Sequence, residues 1–124
     1  MKIYQNETTG EIVLYLSGDN NASCCCGSAL RVMEAGTSDG AQEKHVPVFT
    51  VRDGMVHVRV GEVAHPMAED HWIEWVLLET DKGFSVRTLS PSGTPEALFA
   101  LAPEEHVRAV YALCNLHKLW KAEA

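Results

Sequence analysis

A hairpin signal in the middle of the chain constrains the fold more than any other feature. Residues 46–51 form a β-rich run, Asp53-Gly54 is a dipeptide typical of two-residue hairpin turns, and residues 55–60 form a second run. Apolar and more polar side chains alternate along the second run, with Val56, Val58 and Val60 opposed to Met55, His57 and Arg59. Because side chains alternate between the two faces of a strand, the valines share one face. The segment therefore predicts two antiparallel strands with one buried face.

Similar short runs continue towards the end of the chain. Apolar runs separated by turn residues are found at 71–80, 84–89 and 97–101. Pro103-Glu104-Glu105 could start one helical turn, and residues 107–113 fit either a strand or a helix. Many short strands with frequent turns, and no spacing suited to βαβ units, predict an all-β protein with a β-sandwich.

The N-terminal part of the chain has shorter β-rich runs than the rest of the chain. It contains two short β-rich pieces, Ile3-Tyr4 and residues 12–16, followed by a loop at 17–23. Large apolar side chains are too few in this part to form a core of their own. We expect a small N-terminal module over residues 1–36 and a β-sandwich domain over residues 37–124.

The net charge limits the partners of the chain. The 124 residues carry a formal charge of −7 with histidine neutral, and such a surface repels nucleic acid and anionic lipid. A small anionic substrate would need local positive charge to reach its site. No apolar run approaches the roughly 20 residues that span a bilayer, and the N-terminus lacks the features of a signal peptide. We therefore expect a cytoplasmic protein with no membrane and no nucleic-acid partner.

Four cysteines in a cytoplasmic protein indicate thiols or metal ligands before disulfides. Cys24, Cys25 and Cys26 are adjacent, and neighbouring cysteines cannot readily pair without strain. Cys114 stands apart from them and precedes a histidine by three residues. The triplet is most simply a set of small, partly buried residues, with a redox-reactive or adventitious metal patch as the alternative.

Four histidines and one cysteine lie in segments that could meet at one metal ion. They are His45, His65, His71, Cys114 and His117. Each alone is weak evidence, since a single histidine is usually solvated or hydrogen-bonded; His57 and His106 read as such surface residues. Together, four imidazoles and one thiolate exceed the four ligands of structural zinc. Imidazole with a single soft thiolate suits iron, copper or nickel, and five donors leave one octahedral position open.

The sequence around these residues resembles a known family. EKHVPV at 43–48, VGEVAHPMAEDHWIEWVLL at 60–78 and CNLHKLW at 114–120 are similar to the superoxide reductase domain of the desulfoferrodoxin and neelaredoxin family. The resemblance covers about residues 37–124. It implies an immunoglobulin-like β-sandwich with one mononuclear non-haem iron per chain. The four histidines of the candidate set would be equatorial ligands and the cysteine the axial ligand.

The resemblance also implies an activity. Superoxide would be reduced by one electron to hydrogen peroxide, and an external donor, commonly rubredoxin, would reduce the iron again. Lys44 would supply the local positive charge that the substrate needs, and Glu43 would occupy the sixth position of oxidised iron. A homodimer or larger oligomer is expected. The alternative is a non-enzymatic centre for electron transfer or sensing, which an open sixth position and Lys44 argue against.

The sequence departs from the family pattern at two places. Two-centre members bind a second iron through four cysteines, but Asn6 and Thr9 stand where the first cysteine pair is expected. We therefore predict a vestigial desulforedoxin-like module. Lys118 stands where glycine is usual after the last histidine, so lysine either adopts a positive φ or shows that this angle is not needed. Trp72, Trp75 and Trp120 are expected to pack the core and shield the iron.

Overall fold

The computed structural model describes residues 2–18, 30–37 and 40–124. Cys24, Cys25 and Cys26 lie outside the described residues, so the predictions made for them stay predictions. The chain divides into two compact units, Met1–Glu34 and Ala35–Ala124.

The N-terminal unit is a three-stranded antiparallel sheet. Its strands are β1 (Lys2–Asn6), β2 (Ile12–Tyr15) and β3 (Leu30–Val32), in the order β2-β1-β3. The two strands predicted at Ile3-Tyr4 and residues 12–16 are therefore confirmed. Ile3 and Tyr4 are buried, and the rings of Tyr4 and Tyr15 meet edge to face with centroids 6.2 Å apart.

The C-terminal unit is a sandwich of two antiparallel sheets. It contains the short helix α1 (Gln42–His45) and the strands β4 (Pro47–Arg52), β5 (Met55–Val60), β6 (Ile73–Thr80), β7 (Phe84–Thr88), β8 (Glu96–Ala100), β9 (Val107–Cys114) and β10 (Lys118–Glu123). The four-stranded sheet has the order β10-β9-β6-β7 and the three-stranded sheet the order β4-β5-β8. The predicted all-β, immunoglobulin-like sandwich is confirmed.

The core lies between the two sheets. Val56, Val58 and Val60 of β5 are fully buried, as the alternation predicted, and they pack in one apolar cluster with residues of β6, β8 and β9. Phe99 is the largest fully buried side chain of this cluster. Burying each such side chain contributes about 1.5–3 kcal/mol, so the sandwich is a rigid frame for the loops at its ends. The cluster ends at Cys114, the last residue of β9.

The predicted turn at Asp53-Gly54 is confirmed, whereas the helical turn predicted after Ala102 is not. Asp53 and Gly54 both have positive φ, 52° and 72°, which is the two-residue hairpin turn predicted for this dipeptide. The helical turn predicted at 103–105 does not form. Glu104 has φ 59° and lies in a β-turn, which the N–H of Glu105 closes by donating to the carbonyl of Ala102 at 3.1 Å. The ambiguous segment 107–113 belongs to a strand, β9. In the part of the chain that the structure describes, no helix is long and apolar enough to span a membrane.

Candidate metal centre

His45 and His65 are held by the same kind of hydrogen bond. His45 ends α1, and its ring Nδ1–H donates to the carbonyl of Ala41 at 2.8 Å. His65 lies in the β5–β6 loop, and its Nδ1–H donates to the carbonyl of Pro66 at 2.7 Å. A carbonyl only accepts, so each ring carries its proton on Nδ1 and leaves a lone pair on Nε2. Both side chains are about 2 % exposed, so water does not satisfy those lone pairs.

The two lone pairs face each other. His45 Nε2 lies 3.1 Å from His65 Nε2 and 3.0 Å from Nδ1 of His117. A proton on His117 could relieve only the second contact. Two acceptor nitrogens at this distance repel unless a cation lies between them. Two nitrogens bound at about 2.1 Å and at right angles to one metal are roughly 3.0 Å apart, whereas tetrahedral ligands would be roughly 3.4 Å apart.

The four imidazoles form a square rather than a tetrahedron. Neighbouring ring centroids are separated by 4.6 Å (His45–His65), 4.6 Å (His65–His71), 5.0 Å (His71–His117) and 4.8 Å (His45–His117). The diagonal from His45 to His71 is longer, 6.2 Å. In a tetrahedral set all separations would be alike. The square favours four equatorial nitrogens with axial positions above and below.

Cys114 and His71 complete the set. Possible ligand atoms of His45, His65, His71 and Cys114 all lie within 4.8 Å of one another, and Cys114 Sγ is 3.8 Å from His117 Nδ1. His71 Nε2 is buried and has no hydrogen-bond partner among the residues that the structure describes. An orphaned buried nitrogen and a convergent thiol are the expected signs of a metal site. All five residues selected from sequence are therefore brought together; we call them the histidine–cysteine cluster.

Burial shapes the charge of the histidine–cysteine cluster. Burial lowers the pKa of His45 and His71 and lowers that of His65 to about 4, with smaller effects from neighbouring imidazoles. These three imidazoles are therefore neutral at pH 7, as metal ligation requires. Burial raises the pKa of the Cys114 thiol, against the opposing effect of the backbone N–H groups of His117 and Leu116. A bound cation would favour the thiolate, so the donor set fits a metal ion.

Glu43 and Lys44 lie on α1 beside the histidine–cysteine cluster, and both are exposed. Burial is the largest cause of the lowered pKa of His45 and His71, and the positive charge of Lys44 makes a smaller contribution in the same direction. The electric field of Lys44 therefore acts on the histidine–cysteine cluster. Glu43 lines a surface cleft of about 530 Å³. The backbone of α1 is fixed by Val63, whose N–H donates to the Glu43 carbonyl at 3.0 Å.

Comparisons with known proteins agree with this geometry. The desulfoferrodoxin family model matches residues 37–123. A desulfoferrodoxin from Nitratidesulfovibrio vulgaris is 45 % identical over 123 residues, covering 99 % of this chain and 96 % of the relative. The chain belongs to the desulfoferrodoxin family.

Solved structures extend the likeness to the fold. The superoxide reductase from Treponema pallidum superposes with a TM-score of 0.81 at 36 % identity, covering 99 % of this chain and 100 % of that chain. The one-iron superoxide reductase from Giardia intestinalis superposes with a TM-score of 0.57 at 30 % identity, covering 66 % of this chain and 97 % of that chain. The likeness to the Treponema protein includes the N-terminal unit, whereas the shorter Giardia chain matches about two thirds of this one.

Trp120 has a more specific position in this chain than its sequence indicated. It is buried, its indole stacks on the His45 ring with centroids 4.9 Å apart, and its Nε1–H donates to the carbonyl of His117 at 2.9 Å. Trp72 and Trp75 are half-buried. The expected shielding is thus clearest for Trp120, which covers one side of the histidine–cysteine cluster.

The two departures from the family pattern have local explanations. Lys118 adopts φ 65°, so the positive angle is kept although glycine is absent. In the N-terminal turn, Asn6 Oδ1 accepts hydrogen bonds from the N–H groups of Thr8 at 2.9 Å and Thr9 at 3.3 Å. Backbone bonds close the same turn, since the N–H of Gly10 donates to the Asn6 carbonyl at 2.7 Å and the N–H of Asn6 donates to the Glu11 carbonyl at 2.9 Å.

The residues that orient the metal-site side chains were missed by sequence reasoning. The carbonyls of Ala41 and Pro66 carry no sequence signal, because every residue supplies one. Asn115 lies within the CNLHKLW segment, but an asparagine in a motif does not reveal which backbone groups its side chain will bind. Its place between Cys114 and His117 was the available signal.

Proposed function

We propose that this protein is a superoxide reductase, which reduces superoxide to hydrogen peroxide at one iron. His45, His65, His71 and His117 would bind the iron through imidazole nitrogens and Cys114 would bind it through its sulfur. The observation that carries the proposal is the square of imidazoles with two acceptor nitrogens 3.1 Å apart. Structural zinc would favour a tetrahedron, whereas a square with one axial thiolate suits a redox metal with an open position.

The chain's own residues account for substrate capture. Superoxide is a small anion and the chain carries a charge of −7, so a local field must draw the anion in. Lys44 provides that field in this proposal, since its charge already acts on the rings of His45 and His71. Bound iron would supply the single electron. Two protons from solvent complete hydrogen peroxide, and no dioxygen forms.

Cys114 and Glu43 would tune the site between turnovers. The Cys114 thiolate would donate electron density to a bound iron, as a cysteine ligand does in haem proteins. Glu43 would supply a carboxylate that binds the oxidised form of the iron. Its place on a one-turn helix beside His45 supports this role.

The wider context is also proposed. An external donor such as rubredoxin would return the electron, and the protein would work in the cytoplasm as a homodimer or larger oligomer. Residues 37–124 would form the iron-binding domain and residues 1–36 a vestigial desulforedoxin-like module. We propose one iron per chain, because asparagine and threonine replace two of the thiolates that a second centre needs.

The first experiment measures the products. Reduced, iron-loaded protein is mixed with a pulse of superoxide, and peroxide and dioxygen are quantified. We expect peroxide equal to the superoxide consumed, without dioxygen. Dioxygen equal to peroxide would identify a dismutase instead and overturn the proposed reaction.

The second experiment tests Lys44. Lys44→Ala should slow the reaction with superoxide about tenfold or more at low salt and weaken its salt dependence, with iron still bound. Lys82→Ala is the matched control, because the eight residues of β6 place its turn about 25 Å from the start of that strand. Equal rates for Lys44→Ala and the parent protein would favour the electron-transfer or sensing alternative.

A further inference from the structure

His71 is oriented differently from His45 and His65. Those two rings are each fixed by a hydrogen bond from Nδ1–H to a backbone carbonyl. Nε2 of His71 is buried and has no hydrogen-bond partner among the described residues. Metal-binding histidines are usually held by such a second contact, which fixes the ring and its tautomer. The position of His71 must therefore be set through its backbone.

The Asn115 side chain forms hydrogen bonds with both peptide groups that flank His71. Its Oδ1 accepts from the N–H of Trp72 at 2.9 Å, and its Nδ2–H donates to the carbonyl of Asp70 at 3.0 Å. The backbone N–H of Asn115 also donates to the carbonyl of Trp72 at 3.2 Å. A single side chain thus holds the residue before His71 and the residue after it.

The remaining polar groups of these peptides are paired as well. The N–H of His71 donates to the carbonyl of Ala68 at 3.1 Å, and the N–H of Ala68 donates back to the carbonyl of His71 at 3.0 Å. With the two bonds from Asn115, every N–H and C=O of the peptides on either side of His71 has a partner. The backbone at His71 is therefore held on both sides, which fixes the direction of its Cα–Cβ bond.

The primary amide of Asn115 suits both contacts. The group must accept from an N–H and donate to a carbonyl at the same time. Aspartate could accept but not donate, and serine is too short to span both peptides. Asn115 also stands directly after Cys114 and two residues before His117, so it links the turn that bears those residues to the segment that bears His71.

We propose that Asn115 is a positioning residue, which holds His71 in the square of imidazoles by clamping its flanking peptides. This inference rests on the proposed metal centre and deepens it. Asn115 would not touch the ion; it would act through His71 and couple the two segments of the ligand set.

The test compares metal release among variants of the whole chain. Iron-loaded Asn115→Ala is mixed with excess chelator, and loss of the visible iron–thiolate absorption is followed in time. We expect metal binding weakened about 10–100-fold, the range seen when partners that orient ligands are removed. Asn115→Asp keeps the volume and the acceptor but loses the donor, and should give a smaller loss. It serves as the conservative variant if Asn115→Ala folds poorly.

A matched control separates positioning from general stability. Asn6→Ala removes another asparagine whose Oδ1 accepts from two backbone N–H groups, in the N-terminal unit. It should leave metal release unchanged. In a His71→Ala background, Asn115→Ala should change the release rate less than about twofold, because the residue through which it acts is gone. A loss that persists in that background would mean a merely structural role and overturn the inference.

The result can be read independently of the reaction. If the parent protein binds iron and makes no peroxide, the proposed function fails while the positioning role is still tested by metal release. If Asn115→Ala releases iron at the parental rate, the positioning role fails and the function stands. A parent protein that binds no metal would overturn both.

Discussion

Burial of His65 should make the metal-free protein sensitive to acid in a defined pH range. Burial lowers the pKa of His65 from 6.5 to about 4, with a smaller opposing effect of its bond to Pro66 and further lowering by neighbouring imidazoles. Below pH 6.5 the unfolded chain takes up a proton at this residue that the folded chain does not. Stability is therefore complete above pH 6.5 and lost as the pH falls towards 4. At about 1.4 kcal/mol per pH unit, the loss is about 2–3 kcal/mol by pH 4.5.

The assay is urea unfolding of the metal-free protein at pH 7.5 and pH 4.5. Other groups also titrate, so the informative quantity is the difference between the parent protein and His65→Asn. The parent should lose about 2–3 kcal/mol more than His65→Asn over this range. His57→Asn, which removes an exposed imidazole, is the control and should follow the parent. If the parent and His65→Asn lose stability equally, burial does not hold His65 neutral and the reasoning is refuted.

Three further substitutions test the site and its supports. Cys114→Ser in the oxidised, iron-loaded protein should abolish the thiolate-to-iron charge-transfer band; an unchanged visible spectrum would mean that sulfur is not a ligand. Lys118→Gly should raise the free energy of unfolding by about 0.5–1 kcal/mol, because glycine adopts φ 65° without the clash that lysine suffers; a lower value would show that the lysine side chain compensates. Gly61→Ala should lower the free energy of unfolding in urea by about 2 kcal/mol or more and slow the superoxide reaction. The added Cβ would clash with the carbonyl of Val63 and lie 2.6 Å from the carbonyl oxygen of Lys44. A free energy of unfolding equal to that of the parent protein would contradict this.

Strands with a strong local signal could be predicted from sequence. The second strand of the central hairpin runs from Met55 to Val60 as expected, because alternation and turn chemistry are both local. The helix α1 at Gln42–His45 was not predicted, since one turn is too short to show a period of 3.6 residues. It is held by tertiary bonds, such as that from Val63 N–H to Glu43, which no local pattern contains. Glu104 shows the converse error, because a start signal for a helix was overridden by a tight turn.

The candidate ligands could be predicted, but their geometry could not. Histidine and cysteine are recognisable as possible metal ligands from residue type alone. Three motifs in the expected order were therefore enough to select all five residues of the histidine–cysteine cluster. What fixes the rings is mostly backbone: a carbonyl at Ala41, another at Pro66, and the peptides around His71 gripped by Asn115. Backbone groups are the same at every position, so their role becomes visible only when the chain is folded.

The acceptor atoms of the N-terminal turn have hydrogen-bond donors, whereas two ring nitrogens of the histidine–cysteine cluster have no donor among the described residues. Asn6 Oδ1 accepts from two backbone N–H groups, so both of its lone pairs have donors. The lone pair on His65 Nε2 faces another acceptor 3.1 Å away, and His71 Nε2 is buried with no hydrogen-bond partner among the described residues. A turn satisfied by its own amides gains nothing from a metal, whereas acceptors packed against each other are stabilised by one. This contrast supports one iron per chain, held by the sandwich, and metal analysis giving two would contradict it.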